Sequence, residues 1–321
     1  MNQNSSRSLP ITLLAVGLMV FLLSAGAIAA PTQLALKFNK GETFDQSTQI
    51  QIKASSGTEG SQMPTDMKMS MGFAFEVLDV KPDRSIAMKS VCKEMKVGEM
   101  DVGQAFGMID KSITLTVDSK GRVSDVQGLE DLAPGGGMPG DPLSGANQFI
   151  FPYLPDDPIE IGDTWRNEGE IEFPGASTKA KNCEDYVLRD IKELDGLQVA
   201  IIGIKSNSTI EDVTMTINSP IAANMEISYH INMMTIEKDG EMLLDTGNGK
   251  ILGAKLLVKT DQDASVSTGV PGQNFDTSIK AKADTDLTTV YKYGDQETPD
   301  LSGLYTEREP AEEKTIKASD K

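Results

Sequence analysis

The sequence predicts a mainly β protein: antiparallel sheets in two similar β-rich halves, forming a curved sheet or half-barrel, with one short helix in the mid-chain connection. Three observations carry that prediction. Apolar and polar residues alternate with period 2 over most of the chain. The pattern is clearest where Met67, Met69, Met71, Phe73, Phe75 and Val77 face one way and Lys68, Ser70, Gly72, Ala74 and Glu76 the other. Turn chemistry interrupts the alternation at Lys81-Pro82-Asp83-Arg84, Asp118-Ser119-Lys120-Gly121, Leu194-Asp195-Gly196 and Asn248-Gly249. The outline of the chain before Phe149–Trp165 then recurs after it, which points to an internal duplication.

Residues 1–29 read as a secretory signal peptide. Arg7 sits in a polar start, Ile11–Ala25 is an apolar run short for a membrane span, and Ala27-Ile28-Ala29 has the spacing of a cleavage site. Residues 30–128 form the first β-rich half. Leu34, Leu36 and Phe38 alternate, Lys40-Gly41 turns the chain, Ile50 and Ile52 resume the pattern, and the Met67–Val77 strand follows. Ser85–Met95 runs back, Gly98–Ile109 has room for one or two helical turns, and Ile113–Val117 with Val123–Val126 makes a hairpin. Residues 129–158 are a Gly/Pro-rich connection. Ala133–Gly140 cannot be regular, and Asp141-Pro142 caps a short helix running to about Phe149, stopped by Pro152 and Pro155.

Residues 159–293 are the second β-rich half. Gly162-Asp163-Thr164-Trp165 echoes Gly41-Glu42-Thr43-Phe44, Val187-Leu188 echoes Val77-Leu78, and Leu244–Ile251 echoes Val117–Val123. Met225, Ile227, Tyr229, Ile231 and Met233 alternate between these marks. Trp165, the single tryptophan, is expected to be buried near Tyr153 or Phe151, oriented by the Gly162-Asp163 turn. Residues 294–321 are polar and charged and read as a disordered tail.

Composition excludes several functions. The formal net charge is −18, and −19 once cleavage removes Arg7, so nucleic acid and anionic lipid surfaces repel the chain. No stretch after the signal peptide is apolar enough for a membrane span. Two cysteines, Cys92 and Cys183, form an even pair that in an exported chain suggests a disulfide; two buried free thiols are the alternative.

Candidate chemistry is sparse. One histidine, His230, rules out multi-histidine zinc sites, and alternation puts it on a polar strand face. Leu243-Leu244-Asp245-Thr246-Gly247 has the look of an aspartic-protease motif, but the equivalent turn, Asp118-Ser119-Lys120, lacks the glycine that a second copy needs. The tight turn at Asn248-Gly249 is the competing reading. Met67-Lys68-Met69-Ser70-Met71 has soft ligands for Cu(I), yet the same face runs on through Phe73 and Phe75, as a core or cavity lining would. The D-x-D pairs Asp261/Asp263 and Asp284/Asp286 lack the glycine and glutamate of a calcium loop. No catalytic residue, metal site or cofactor is expected.

Phe151-Pro152-Tyr153-Leu154-Pro155 through Gly162-Asp163-Thr164-Trp165 resembles a bacterial exported family of unknown function, which carries F-P-x-L-P-x-x-P-[VI]-x-x-G-D-[ST]-W between two β-rich halves. The hairpin around Gly121 and Val123 is similar as well. The resemblance implies a fold broadly similar to curved half-barrels such as the periplasmic lipoprotein carriers, and it supplies no catalytic residues. The glycine-rich loop at Pro134–Gly140 departs from the helical connection expected there.

These observations favour an exported, periplasmic or extracellular, non-catalytic protein. Methionine is abundant, at 16 residues, while aromatics are 5%. Flexible thioether side chains suit an adaptable apolar surface. The expected ligand-binding residues are Met67, Met69, Met71, Phe73, Phe75, Met225, Ile227, Tyr229 and Ile231, facing an apolar small molecule or lipid. The alternatives are a structural or assembly role at the cell envelope and, more weakly, an aspartic-type hydrolase.

Overall fold

The computed structural model describes residues 31–58, 61–104, 108–128, 151–172, 179–218, 226–270, 273–295 and 299–305. Twelve strands build one curved antiparallel sheet that does not close on itself. The first six are β1 (Thr43–Thr58), β2 (Ser61–Val80), β3 (Ile86–Val97), β4 (Met100–Asp101), β5 (Ser112–Val117) and β6 (Val123–Gln127). The others are β7 (Thr164–Glu172), β8 (Lys179–Leu194), β9 (Leu197–Asn218), β10 (Glu226–Asp245), β11 (Lys250–Val270) and β12 (Gln273–Tyr293). The path across the sheet is β6-β5-β3-β2-β1-β12-β11-β10-β9-β8-β7, with β4 beside β3. Each half is a meander, the natural outcome of alternating strands joined by short turns. Pairing of β1 with β12 joins the meanders at the centre, and β6 and β7 are the two edges.

One face, here the inner face, carries the main core. Phe44 and Phe75 stack with centroids 4.6 Å apart, and Val77, Leu115, Leu188, Ile202 and Leu244 are buried with them. Two extended segments that precede β1 and β7 cover this end. The first brings in Leu34, Leu36 and Phe38, the second Phe151, Leu154 and Ile159, all buried in the same cluster. The segments cross each other at a bridge between Thr32 and Ile159.

Each segment is seated on a hairpin. Leu154 N–H donates to the Lys120 carbonyl at 2.8 Å, and Lys37 N–H to the Gly249 carbonyl at 3.1 Å. Both hairpin glycines have positive φ, Gly121 at 84° and Gly249 at 65°. A Cβ on Gly121 would collide with the Pro152 carbonyl, and one on Gly249 would lie 2.5 Å from the Ala35 carbonyl oxygen. Only glycine permits both the turn and the close passage of the segment. The Lys120 ammonium accepts no such crowding without effect: it donates to the Leu34 carbonyl at 3.2 Å and to that of Pro155, tying the two segments together, and burial lowers its pKa.

The backbone repeats itself at the starts of β1 and β7. Gly41 N–H bonds the Val77 carbonyl at 2.8 Å, as Gly162 N–H bonds that of Leu188 at 2.7 Å. Val77 N–H returns to Glu42 and Leu188 N–H to Asp163. The Glu42 carboxylate accepts from Asn39 N–H, and the Asp163 carboxylate from Glu160 N–H. Register shifts follow at the same place, after Val77 and after Leu188. In three dimensions Leu188 therefore answers to Val77, one residue away from the match to Leu78 that the sequence offers.

Several expectations are corrected. Among the described residues there is no α-helix. Gly98–Ile109 is turns around β4 rather than helix where described, and the helix expected over 141–149 lies outside the described residues. A single 3-10 turn occurs at Ser302–Leu304, inside the stretch expected to be a disordered tail. Leu301 and Leu304 are apolar enough to bury against Val199, Ile201, Leu243 and Leu252 on the outer face. Cys92 and Cys183 are free thiols. The alternation explains why: Cys92 packs on the inner face with Met71 and Met95, whereas Cys183 lies between inward-facing Asn182 and Glu184 and so points outward.

Candidate binding face

Strand register orders the inner face into rows running across the sheet. One row reads Met71, Thr48, Thr289, Ala254, Met242, Ile202 and Leu188. The next is Met69, Ile50, Leu287, Leu256, Gly240, Ile204 and Tyr186, and a third is Met67, Ile52, Thr285, Val258, Lys238, Ser206 and Glu184. The first row is buried under the core end. Beyond it Ile50, Ile52, Met67, Met69, Ile236 and Val258 are only half-buried. On the same strands the outer face is charged: Lys53, Lys68, Lys259, Asp261, Lys282 and Asp284 are exposed, and Lys282 pairs with Asp261 at 2.6 Å.

Polar side chains interrupt the inner face in two places. On β1 and β12, Gln46 donates to the Thr48 hydroxyl at 3.3 Å, and the Thr48 and Thr289 hydroxyls share a bond of 3.1 Å. All three are buried, and Gln46 Oε1 has no partner among the described residues. On β8, β9 and β10, Lys238 pairs with Glu184 at 2.5 Å, and both side chains are more than nine-tenths buried. Tyr186 donates to Glu184 at 2.6 Å, and Ser206 and Ser208 donate to Asn182. Burial pushes the Glu184 carboxyl up, but the Lys238 charge and the hydrogen bonds from Lys238, Tyr186 and Asn167 outweigh it and leave the pKa below the usual glutamate value. Burial and the adjacent carboxylate raise Tyr186.

Two cavities flank this face. One, about 340 Å³, lies where the edges approach, between Val123 and Val126 of β6 and Asn167 and Gly169 of β7, with Glu184 in its lining. Tyr153 helps to close it, held by the Trp165 indole N–H at 2.7 Å on its carbonyl and by Arg122 over its ring. The other, about 790 Å³, lies at the core end between Phe38, Lys250 and Tyr293. There the Lys250 ammonium sits 4.0 Å from the Phe38 ring centroid and pairs with Glu42, while burial keeps its pKa below the usual lysine range.

The predicted site residues divide. Met67, Met69, Met71, Phe73 and Phe75 all share the inner face: Met71 and Phe75 are buried, Met67, Met69 and Phe73 half-buried. Ile231 is buried on that face too. Met225 lies outside the described residues; Ile227 and Tyr229 are placed on β10 by backbone register alone. Met233, expected beside Ile231, is instead 48% exposed. A register shift between Ile231 and Met233 reverses the alternation, so that Met234 takes the half-buried place. Trp165 is half-buried, stacked on Tyr186 at 5.5 Å, rather than enclosed.

The other motifs resolve into structure. The Asp245 carboxylate accepts from Gly247 N–H at 2.9 Å, Asn248 N–H at 3.2 Å and the Asn248 side chain at 2.7 Å. Asp118 caps its own turn in the same way, at Lys120 and Arg122. These are turn caps, the structure that the tight-turn reading expects. His230 bonds Thr214 at 2.8 Å on a partly exposed face. The D-x-D pairs lie among the lysines of the outer face. Sequence reading missed Glu184, Lys238 and Gln46. Their signal was phase: each is a polar residue at an inward position of its strand, in phase with apolar residues such as Leu188, Phe44 and Met242.

No family model matches the chain, and no curated protein matches it. Among solved structures, the chain has a likeness to Acinetobacter baumannii OccAB4 at 8% identity, over 80% of this chain and 99% of that one, with a TM-score of 0.17. It has another to Salmonella typhi OmpF in complex with daunomycin, again at 8% identity over 80% and 99% of the two chains, with a TM-score of 0.15. Overlaps this slight carry no argument about fold or function.

Proposed function

We propose that this is an exported, non-catalytic protein that holds an apolar or lipid-like molecule against its inner face. The observation that carries the reading is the half-buried apolar surface of Ile50, Ile52, Met67, Met69, Ile236 and Val258, which continues the core face past the two covering segments. Adaptable methionines on rigid strands suit such a role. The charged outer face argues against a barrel embedded in lipid, where apolar residues face outward and polar ones inward. Export rests on the signal-like residues 1–29. Kinship with the exported family of the central motif, and descent of the halves from one duplicated unit, are part of the same proposal. The recurring hydrogen bonds at Gly41 and Gly162 support the duplication.

Native mass spectrometry of the protein purified from its own compartment, followed by solvent extraction, tests the reading. A bound apolar molecule is expected. Ligand-free protein that Met69→Asp merely unfolds would mean that this face is a core. An assembly role in the envelope is the second reading, favoured by the edges at β6 and β7, which pair with no further strand among the described residues. It predicts a ligand-free protein that co-purifies with a partner.

A further inference from the structure

We infer that the ligand is amphipathic, with an uncharged head group that donates a hydrogen bond, typified by a long-chain alcohol. This rests on the proposed apolar binding and specifies its chemistry. Along β1 the inward residues run Phe44, Gln46, Thr48, Ile50 and Ile52, and along β2 they run Phe75, Phe73, Met71, Met69 and Met67. The order from the core end is aromatic, polar, then apolar and half-buried. A molecule lying along these strands from the open end would set its chain against Ile52, Met67, Ile50 and Met69. Its leading end would meet Thr48 and Gln46.

The polar stretch holds a buried acceptor that meets no donor among the described residues. Gln46 is 6% exposed and Thr289 1%. Gln46 gives one of its two amide N–H groups to Thr48, and Thr48 and Thr289 share one hydrogen bond, while the Gln46 carbonyl oxygen is a buried acceptor with no partner among the described residues. A buried acceptor without a donor is costly, and a hydroxyl from a ligand relieves that cost. A carboxylate brings no donor, and its burial away from a cation is unfavourable. The cation nearest in kind, Lys238, is already committed to Glu184. The way to Gln46 passes Met69 and Met71, unbranched side chains that change rotamer readily.

Calorimetric titration of the whole mature chain with three probes of equal chain length tests the inference. They are 1-dodecanol, dodecyl methyl ether and dodecanoate at neutral pH. The alcohol is expected to bind roughly five- to tenfold more tightly than the ether, as one hydrogen bond implies, with dodecanoate weakest. Gln46→Met, checked for an unchanged unfolding midpoint, should bring alcohol and ether together. Equal affinities for the alcohol and ether in the unaltered protein would overturn the head-group assignment while leaving apolar binding standing. Dodecanoate binding tightest would overturn it in favour of a cationic head site. A chain that binds none of the three removes the apolar-binding reading itself.

Discussion

The two ends of the inner face are built from the same strands and end differently. At the core end Phe44 lies on Phe75, and two extended segments close over them with Leu34, Leu36, Phe151 and Leu154. Further along β1 and β2, Ile52 and Met67 continue the same alternation but remain half-buried. Alternation sets which side of a strand faces inward. What lies over that side is decided by residues far away in sequence, here the segments that cross at Thr32 and Ile159. An apolar strand face is thus a core at one end and an available surface at the other.

The sharpest way to break this comparison is to truncate the covered end. Phe75→Ala removes a ring that is 2% exposed and stacked on Phe44, and is expected to destabilise by ~3–5 kcal/mol. Urea midpoints measure it. A loss no greater than at Met67 would erase the distinction between the ends.

The ion pair on β8 and β10 gives the next largest effect. Lys238→Met leaves Glu184 buried without its cation, at a cost of about 3 kcal/mol, the low end for such pairs because Tyr186 and Asn167 still hydrogen-bond the carboxylate. Adding Glu184→Gln should restore much of the loss. The pair also sets an acid sensitivity. The folded-state pKa of Glu184 is depressed, so its contribution is present above the ordinary glutamate pKa. That contribution fades as pH falls from there through the folded-state value. The Lys238→Met, Glu184→Gln double variant should show a smaller decline in melting temperature over that acid range than the unaltered protein; an identical decline would show that the pair is not its source.

Much of this was legible in the sequence, and the failures share a cause. The Met67–Val77 strand, the hairpins at Asp118 and Asp245 and the open antiparallel sheet follow from period 2 and turn chemistry. Met233 was misplaced because a register shift of one residue is silent in the pattern yet reverses every side chain beyond it. The disulfide failed for a related reason: facing depends on strand phase, and Cys92 and Cys183 have opposite phase. Glu184 and Lys238 were overlooked because each is one charge among several in its strand; only the pairing of β8, β9 and β10 shows that these two meet on the inner face. Leu301 and Leu304 sit in too polar a stretch to advertise burial, and the outer-face patch of Val199, Ile201, Leu243 and Leu252 supplies the context.

A smaller effect is expected at the joint between the halves. Trp165→Phe keeps the stacking on Tyr186 and loses the indole bond to the Tyr153 carbonyl, costing about 1 kcal/mol. The half-buried setting of Trp165 makes this a modest anchor. A loss several times larger in the urea midpoint would mean that Tyr153 and the segment behind it depend on this one bond.

The smallest effect is the most informative about the open end. Met67 is half-buried, lies opposite Ile52 and is paired across to no third strand, since the β2–β3 ladder begins only at Met69. Truncating it to alanine removes an unbranched side chain that is only half-buried, so the expected loss is under about 1 kcal/mol. Binding of 1-dodecanol should weaken in the same variant, because the apolar area lost is area the chain of the ligand would cover. Stability and binding then move independently at Met67. A core residue cannot show that separation, because whatever loosens its packing also destabilises the fold. If Met67→Ala lowers the urea midpoint as far as Phe75→Ala does, the open end is packed like the covered one, and the inner face is a single core from end to end.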